Sequence, residues 1–73
     1  MNKINKHSVL LSGHRTSISL EQPFWVKLKE ICKQRKKSIN QQITEIDNER
    51  LENSNKNLSS AIRVFILNQT NQN

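Results

Sequence analysis

The stretch GHRTSISLEQPFW, residues Gly13–Trp25, decides how this chain is read. Thr16, Ile18 and Leu20 alternate with Arg15, Ser17 and Ser19, the period-two signature of a half-buried strand. Glu21 and Pro23 then mark a helix start. Acidic charge complements a helix N-terminus, and proline's absent N–H costs nothing in the first turn. One side of the strand is apolar. The other is polar and basic, and its use is the question the rest of the sequence must answer.

Upstream lies SVLLS, residues 8–12. A single unbroken strand from Ser8 to Leu20 would place Val9 and Leu11 on the face of Arg15, Ser17 and Ser19. A turn or bulge at Gly13 removes that conflict, because glycine reaches left-handed backbone conformations freely. Two partners for the strand are then open, residues 8–12 of the same chain or the same strand of a second copy. The second suits the size of the chain. At 73 residues a private core is marginal. The one cysteine, Cys32, allows no internal disulfide. Oligomerisation is the expected source of the missing stability.

Downstream, Phe24, Trp25, Leu28, Ile31 and Cys32 fall on one helical arc, with Val26 pointing away. Ser38 has the position of an N-cap for a second helix whose Ile39, Ile43 and Ile46 form a narrow stripe. ENSNKN, residues 52–57, reads as a polar loop. A third helix is expected over about Leu58–Asn68, capped by Asn57 or Ser59. Leu58, Ala61, Ile62, Phe65 and Ile66 form one face of it, with Val64 and Leu67 on the other. The expected fold is therefore mainly α: a strand, two helices and an added third helix. Residues 1–7 are expected as a tail, 8–68 as the domain and 69–73 as a second tail.

Twelve Lys or Arg stand against six acids, a net charge of +6, which favours a polyanionic partner, nucleic acid first. The charge is segregated. Residues 27–37 hold six basic side chains and one acid, whereas residues 45–52 hold four acids and one base. Arg35, Lys36 and Lys37 immediately precede Ser38, where the free N–H groups of a helix start could hold a DNA phosphate. His14 beside Arg15 is a further candidate for phosphate. A two-stranded ribbon fits the major groove, where Arg15 could bond guanine bidentately and Ser17 and Ser19 could meet base edges. No metal or other cofactor is expected, since two histidines and one cysteine lack ligand spacing. There is no phosphate loop or nucleophile elbow, and an enzyme is not expected. The apolar run VLL is too short for a signal peptide or a membrane span, so the expected location is the cytosol, on the nucleoid.

The pattern RTSISLEQPFW..L..I followed by S.N..I resembles the ribbon-helix-helix proteins, the Arc/MetJ/CopG group. GHRTSISLE, SIN..I.EID and NLSSAIRVFIL are similar to a short bacterial branch of it, over about Ser8–Leu67. The resemblance implies an intertwined dimer with an intersubunit antiparallel ribbon in the major groove. It places base contacts on Arg15, Ser17 and Ser19, and phosphate contacts on the helix start at Ser38, Ile39 and Asn40. The family usually has glycine between its first two helices. Here Arg35-Lys36-Lys37 fills that turn, at a backbone cost of roughly 1 kcal/mol for one lysine.

The expectation is a homodimeric DNA-binding transcriptional regulator, with tetramers or larger assemblies open. Base contacts fall to Arg15, Ser17 and Ser19, and phosphate contacts to His14, Lys36, Lys37, Ser38, Ile39 and Asn40. Ile18, Leu20, Trp25, Ile43, Phe65 and Leu67 are expected at the subunit interface. The alternative is an antitoxin-like or scaffold module docking a protein partner through the apolar third helix.

Overall fold

The computed structural model describes residues 4–53 and 57–70. Strands β1 (Ile4–Leu11) and β2 (His14–Glu21) form an antiparallel hairpin, followed by helices α1 (Gln22–Arg35), α2 (Ile39–Asn53) and α3 (Leu58–Thr70). The expected strand and three helices appear in the expected order, with wider bounds and with a second strand, β1, ahead of them. Residues 4–7, expected as part of a tail, form the first half of β1 and pair with Glu21, Leu20, Ser19 and Ile18. Gln69 and Thr70 extend the third helix, and Glu52 and Asn53, expected in the polar loop, end α2. Residues 1–3, 54–56 and 71–73 of the expected tails and loop lie outside the described residues.

The hairpin answers the strand question within the chain. Ser12 and Gly13 have φ of 51° and 84°, the pair of positive values that a two-residue type I′ turn requires. Such a turn matches the twist of its strands, and it reverses the chain so that Leu11 meets His14 and Val9 meets Thr16. The sidedness conflict of a continuous strand disappears. Asn5, His7, Val9 and Leu11 now share a face with Leu20, Ile18, Thr16 and His14. Lys6, Ser8 and Leu10 share the opposite face with Ser19, Ser17 and Arg15.

The helices cover the first of these faces. Val9, Ile18 and Leu20 are buried there with Leu28, Ile31 and Cys32 of α1, Ile43 and Ile46 of α2, and Ile62 and Ile66 of α3. The isoleucine stripe of α2 is widened by Gln42, which is buried although its type reads as polar. Its Oε1 has no hydrogen-bond partner among the described residues. His7 lies flat on Trp25, with ring centroids 3.8 Å apart and planes 8° apart. This stack docks the open end of the hairpin onto α1 and contributes about 0.5–1.5 kcal/mol beyond its area.

The helix ends follow the capping chemistry of the sequence. Ser38 Oγ accepts from Gln41 N at 3.0 Å, and Asn57 Oδ1 accepts from Ser60 N at 2.8 Å. Of the two cap candidates for α3, Asn57 therefore fills the role. Ser59 instead donates through its hydroxyl to the Ser19 carbonyl at 2.8 Å. At the end of α1, Lys36 N–H donates to the Lys33 carbonyl and Lys37 N–H to the Cys32 carbonyl, with Lys36 at φ 58°, ψ 42°. This is a Schellman closure with lysine in the left-handed place usually held by glycine.

Arg63 pairs with Glu21 across the fold. Its Nε lies 2.9 Å from Glu21 Oε1 and its guanidinium 5.9 Å from the Phe24 ring centroid. Arg63 thus ties α3 to the junction of β2 and α1. Its hydrogen bond holds the Glu21 carboxyl below the usual carboxylate range.

Backbone strain sits at Gly13 and Lys36 in opposite senses. A Cβ added at Gly13 meets no atom within 4 Å, so Gly13→Ala should cost only its backbone term, about 1–2 kcal/mol. Lys36→Gly should gain about 1 kcal/mol. Urea unfolding followed by circular dichroism reads both.

Burial, with a smaller effect of the Lys29 charge, holds the His7 imidazole below its ordinary value of 6.5. A lowered histidine pKa stabilises the fold in full above the unfolded value, and that contribution is lost as pH falls from 6.5 towards the folded value. The urea midpoint, followed by the fluorescence of Trp25, should drop across that window. His7→Phe keeps a ring against Trp25 and should flatten the drop. An equal drop in that variant would assign the effect to another group.

Candidate nucleic-acid interface

The face of the hairpin turned away from the helices carries the polar residues singled out in the sequence. Arg15 and Ser17 are exposed on it, and Ser19 is half-buried. Directly across from them on β1 stand Leu10, Ser8 and Lys6, all exposed. The outer surface is thus a two-stranded ribbon made by one chain, so the in-chain partner, one of the two left open by the sequence, is the one that pairs with β2. The signal that favours it is Ser12-Gly13, a two-residue hairpin loop. His14 is exposed beside the turn, on the opposite face from Arg15.

The start of α2 stands beside the outer edge of β1. Asn40 Oδ1 accepts from Leu10 N–H at 3.1 Å. Leu10 is the cross-strand partner of Arg15, so one hydrogen bond and one strand pair connect the α2 start to Arg15. Ser38 is exposed at that start, Lys36 is exposed just before it, and Ile39 is half-buried. Lys37 is turned to Glu45, with Nζ 2.6 Å from Oε1, which offsets its charge locally. Glu30 pairs with Lys27, Asp47 with Arg50 and Glu21 with Arg63. Lys6, Arg15 and Lys36 make no ion pair among the described residues. Lys6, Arg15 and Lys36 thus carry uncompensated positive charge on the ribbon and at the entry to α2.

The described residues hold no group of three or more His, Cys, Asp or Glu side chains placed to bind a metal. Cys32 is a buried free thiol whose pKa burial pushes up, in keeping with a small core residue. No helix among the described residues is long and apolar enough to cross a membrane.

A family model described as a ribbon-helix-helix domain matches residues 4–70. The chain belongs to the ribbon-helix-helix family. Proteins of this family generally bind DNA as dimers and act in transcription regulation, and their domains are typically non-enzymatic. No curated protein and no solved structure gives a significant match to the chain.

In this ribbon-helix-helix chain β2 has one edge paired and one edge open. A two-residue loop makes Leu11 and His14 a hydrogen-bonded pair. Alternation then turns the backbone groups of Arg15, Ser17, Ser19 and Glu21 away from β1. The Ser59 bond to the Ser19 carbonyl agrees with that assignment. Beside this edge runs an open groove of about 840 Å³, lined in part by Thr16, Ser17, Ile18, Leu51, Leu58 and Ser59.

The residues expected at a subunit interface divide. Ile18, Leu20 and Ile43 are covered inside one chain, so they build its private core. Trp25 and Phe65 are half-buried, Trp25 under His7 and Phe65 with the Arg35 guanidinium 5.7 Å from its ring centroid. Leu67 is 57% exposed, beside Val64 at 43% on the outer side of α3.

The Asn40 tether is open to a direct test. Asn40→Ala should speed hydrogen exchange of the Leu10 amide while that of Val9, inside the ladder, stays slow. The stability cost should be at most about 0.5–1.5 kcal/mol, the net worth of one hydrogen bond. Asn40→Asp keeps an acceptor and should restore slow exchange. Unchanged Leu10 exchange in Asn40→Ala would mean the contact holds nothing in place.

Proposed function

We propose that this protein is a homodimeric, sequence-specific DNA-binding transcriptional regulator of the nucleoid, inserting the outer face of its hairpin into the major groove. The observation that carries the reading is the sorting of the ribbon. Val9, Ile18 and Leu20 are committed to the helices, while Arg15, Ser17 and Ser19 share the face turned away from them, with exposed Leu10 across from Arg15. An arginine held on a ribbon can bond guanine O6 and N7 bidentately. The start of α2, with Ser38, Ile39 and Asn40 and with Lys36 before it, supplies N–H groups and charge for a phosphate beside the ribbon. His14 and Lys37 support this more weakly, one lying off the reading face and the other paired to Glu45.

The second copy joins at the open edge of β2. Ser59 already occupies the Ser19 carbonyl. A two-fold antiparallel pairing centred on Thr16 uses only the backbone groups of Arg15 and Ser17 and leaves that contact intact. The groove beside the edge receives the partner's side chains.

Exposed Val64 and Leu67 favour a second reading, in which α3 docks a protein partner or joins dimers into tetramers. Light scattering separates the readings. A dimer that retains DNA supports the first, and a larger assembly that Leu67→Glu reduces to dimers supports self-association through α3.

Selection of bound sequences from random duplexes at moderate salt should return a palindromic motif, reflecting two-fold symmetry. On that motif Arg15→Ala should cost about 1–3 kcal/mol and relax the preference at one position per half-site. Unaltered affinity and preference in Arg15→Ala would overturn the ribbon reading.

A further inference from the structure

We infer that β1 is a second DNA-contacting strand, in which Lys6 grips the phosphate backbone at the wall of the groove that β2 reads. The inference rests on the dimeric DNA-binding reading above and adds to it a contact residue on β1, outside the strand that carries Arg15, Ser17 and Ser19. Pairing two copies through the open edges of β2 gives a four-stranded sheet with β2 and its copy in the middle and the two β1 strands outside. Neighbouring strands lie about 4.8 Å apart, so the outer strand axes are separated by about 14 Å. The major groove is about 12 Å wide. Two central strands fit between its walls. The outer two do not, and they come to lie over the sugar–phosphate rims.

The residues of β1 suit that place. Lys6 and Ser8 stand on the same face as Arg15, Ser17 and Ser19, opposite Ser19 and Ser17 respectively. Both are exposed, and Lys6 makes no ion pair among the described residues. The α2 start, tied to Leu10 by Asn40, lies on the outer side of the same strand. β1 therefore spans the gap between the reading strand and the helix start. Lys6 sits four residues from Leu10, about 13 Å along the strand, and so carries charge to a separate stretch of the same rim. A flexible lysine suits a phosphate, which needs a point charge and no fixed fork.

The salt dependence of binding to the selected duplex tests this. Lys6→Gln should lower the slope of log affinity against log salt by about two for the dimer, roughly 0.9 for each phosphate left without its lysine. It should weaken matched and mismatched duplexes by the same factor, whereas Arg15→Ala weakens the matched one preferentially. Lys6→Arg should restore the slope. Lys27→Gln, on α1 behind the sheet, should leave it as in the wild type. Circular dichroism melts of each variant establish that the fold is kept. An unchanged slope in folded Lys6→Gln, with the wild type binding normally, overturns this inference alone. A loss of sequence preference in Lys6→Gln overturns the phosphate assignment. A wild-type chain that retains no duplex at low salt overturns the DNA-binding reading and this inference with it.

Discussion

The register of the hairpin is the constraint on which the rest of the structure depends. A strand has two faces and no other freedom of sorting, so a shift of one residue would exchange them entirely. The type I′ turn at Ser12–Gly13 fixes the register, and every later feature inherits it. Val9 comes to face the helices and Ser8 to face away. The same register decides which backbone groups point outward. Asn40 finds Leu10 N–H on one edge, and Ser59 finds the Ser19 carbonyl on the other. Each flanking helix therefore docks by a polar contact to a strand edge as well as by the apolar core.

This arrangement changes how a 73-residue chain meets its stability requirement. From length and composition alone, a second copy is the expected source of the missing stability. The chain goes further alone, because β1 satisfies one edge of β2 and α3 closes the core over Leu20, Ile43 and Ile62, each fully buried. What a second copy would add is smaller, namely the open stretch of β2 and the groove beside it. In the proposed dimer, subunits exchange without unfolding, in contrast to an obligate dimer that has no folded monomer.

How much of this could be read in the sequence depended on whether neighbouring residues carried the signal. The alternation from Arg15 to Leu20 announced a strand and its faces because each inward residue is apolar or β-branched. Ser38 and Asn57 announced helix starts because capping is a contact within one turn. The first half of β1 stayed hidden. Its inward residues are Asn5 and His7, one bonded to Gln22 and the other stacked on Trp25, so no apolar period of two appears. Gln42 was hidden for the same reason, a polar type at a buried place. The Arg63–Glu21 pair spans 42 residues, and no local rule reaches that far. The left-handed turn between α1 and α2 was visible only through the family resemblance, since nothing in RKK marks Lys36 as its bearer.

The site differs from the strand in how much strain it tolerates. Lys36 holds a left-handed conformation that glycine would hold more cheaply, and it does so at the entry to α2, where the proposed phosphate lies. Glycine would stabilise the domain and remove a charge from that entry. A lysine held there at a backbone cost of about 1 kcal/mol is explained if its ammonium meets the proposed phosphate. The neighbouring lysine is less available, because Glu45 engages it. With serines rather than asparagine or glutamine beside Arg15, few groups of the ribbon can discriminate bases sharply. On the proposed reading, affinity comes largely from charge, and specificity from one arginine per subunit together with the shape of the duplex.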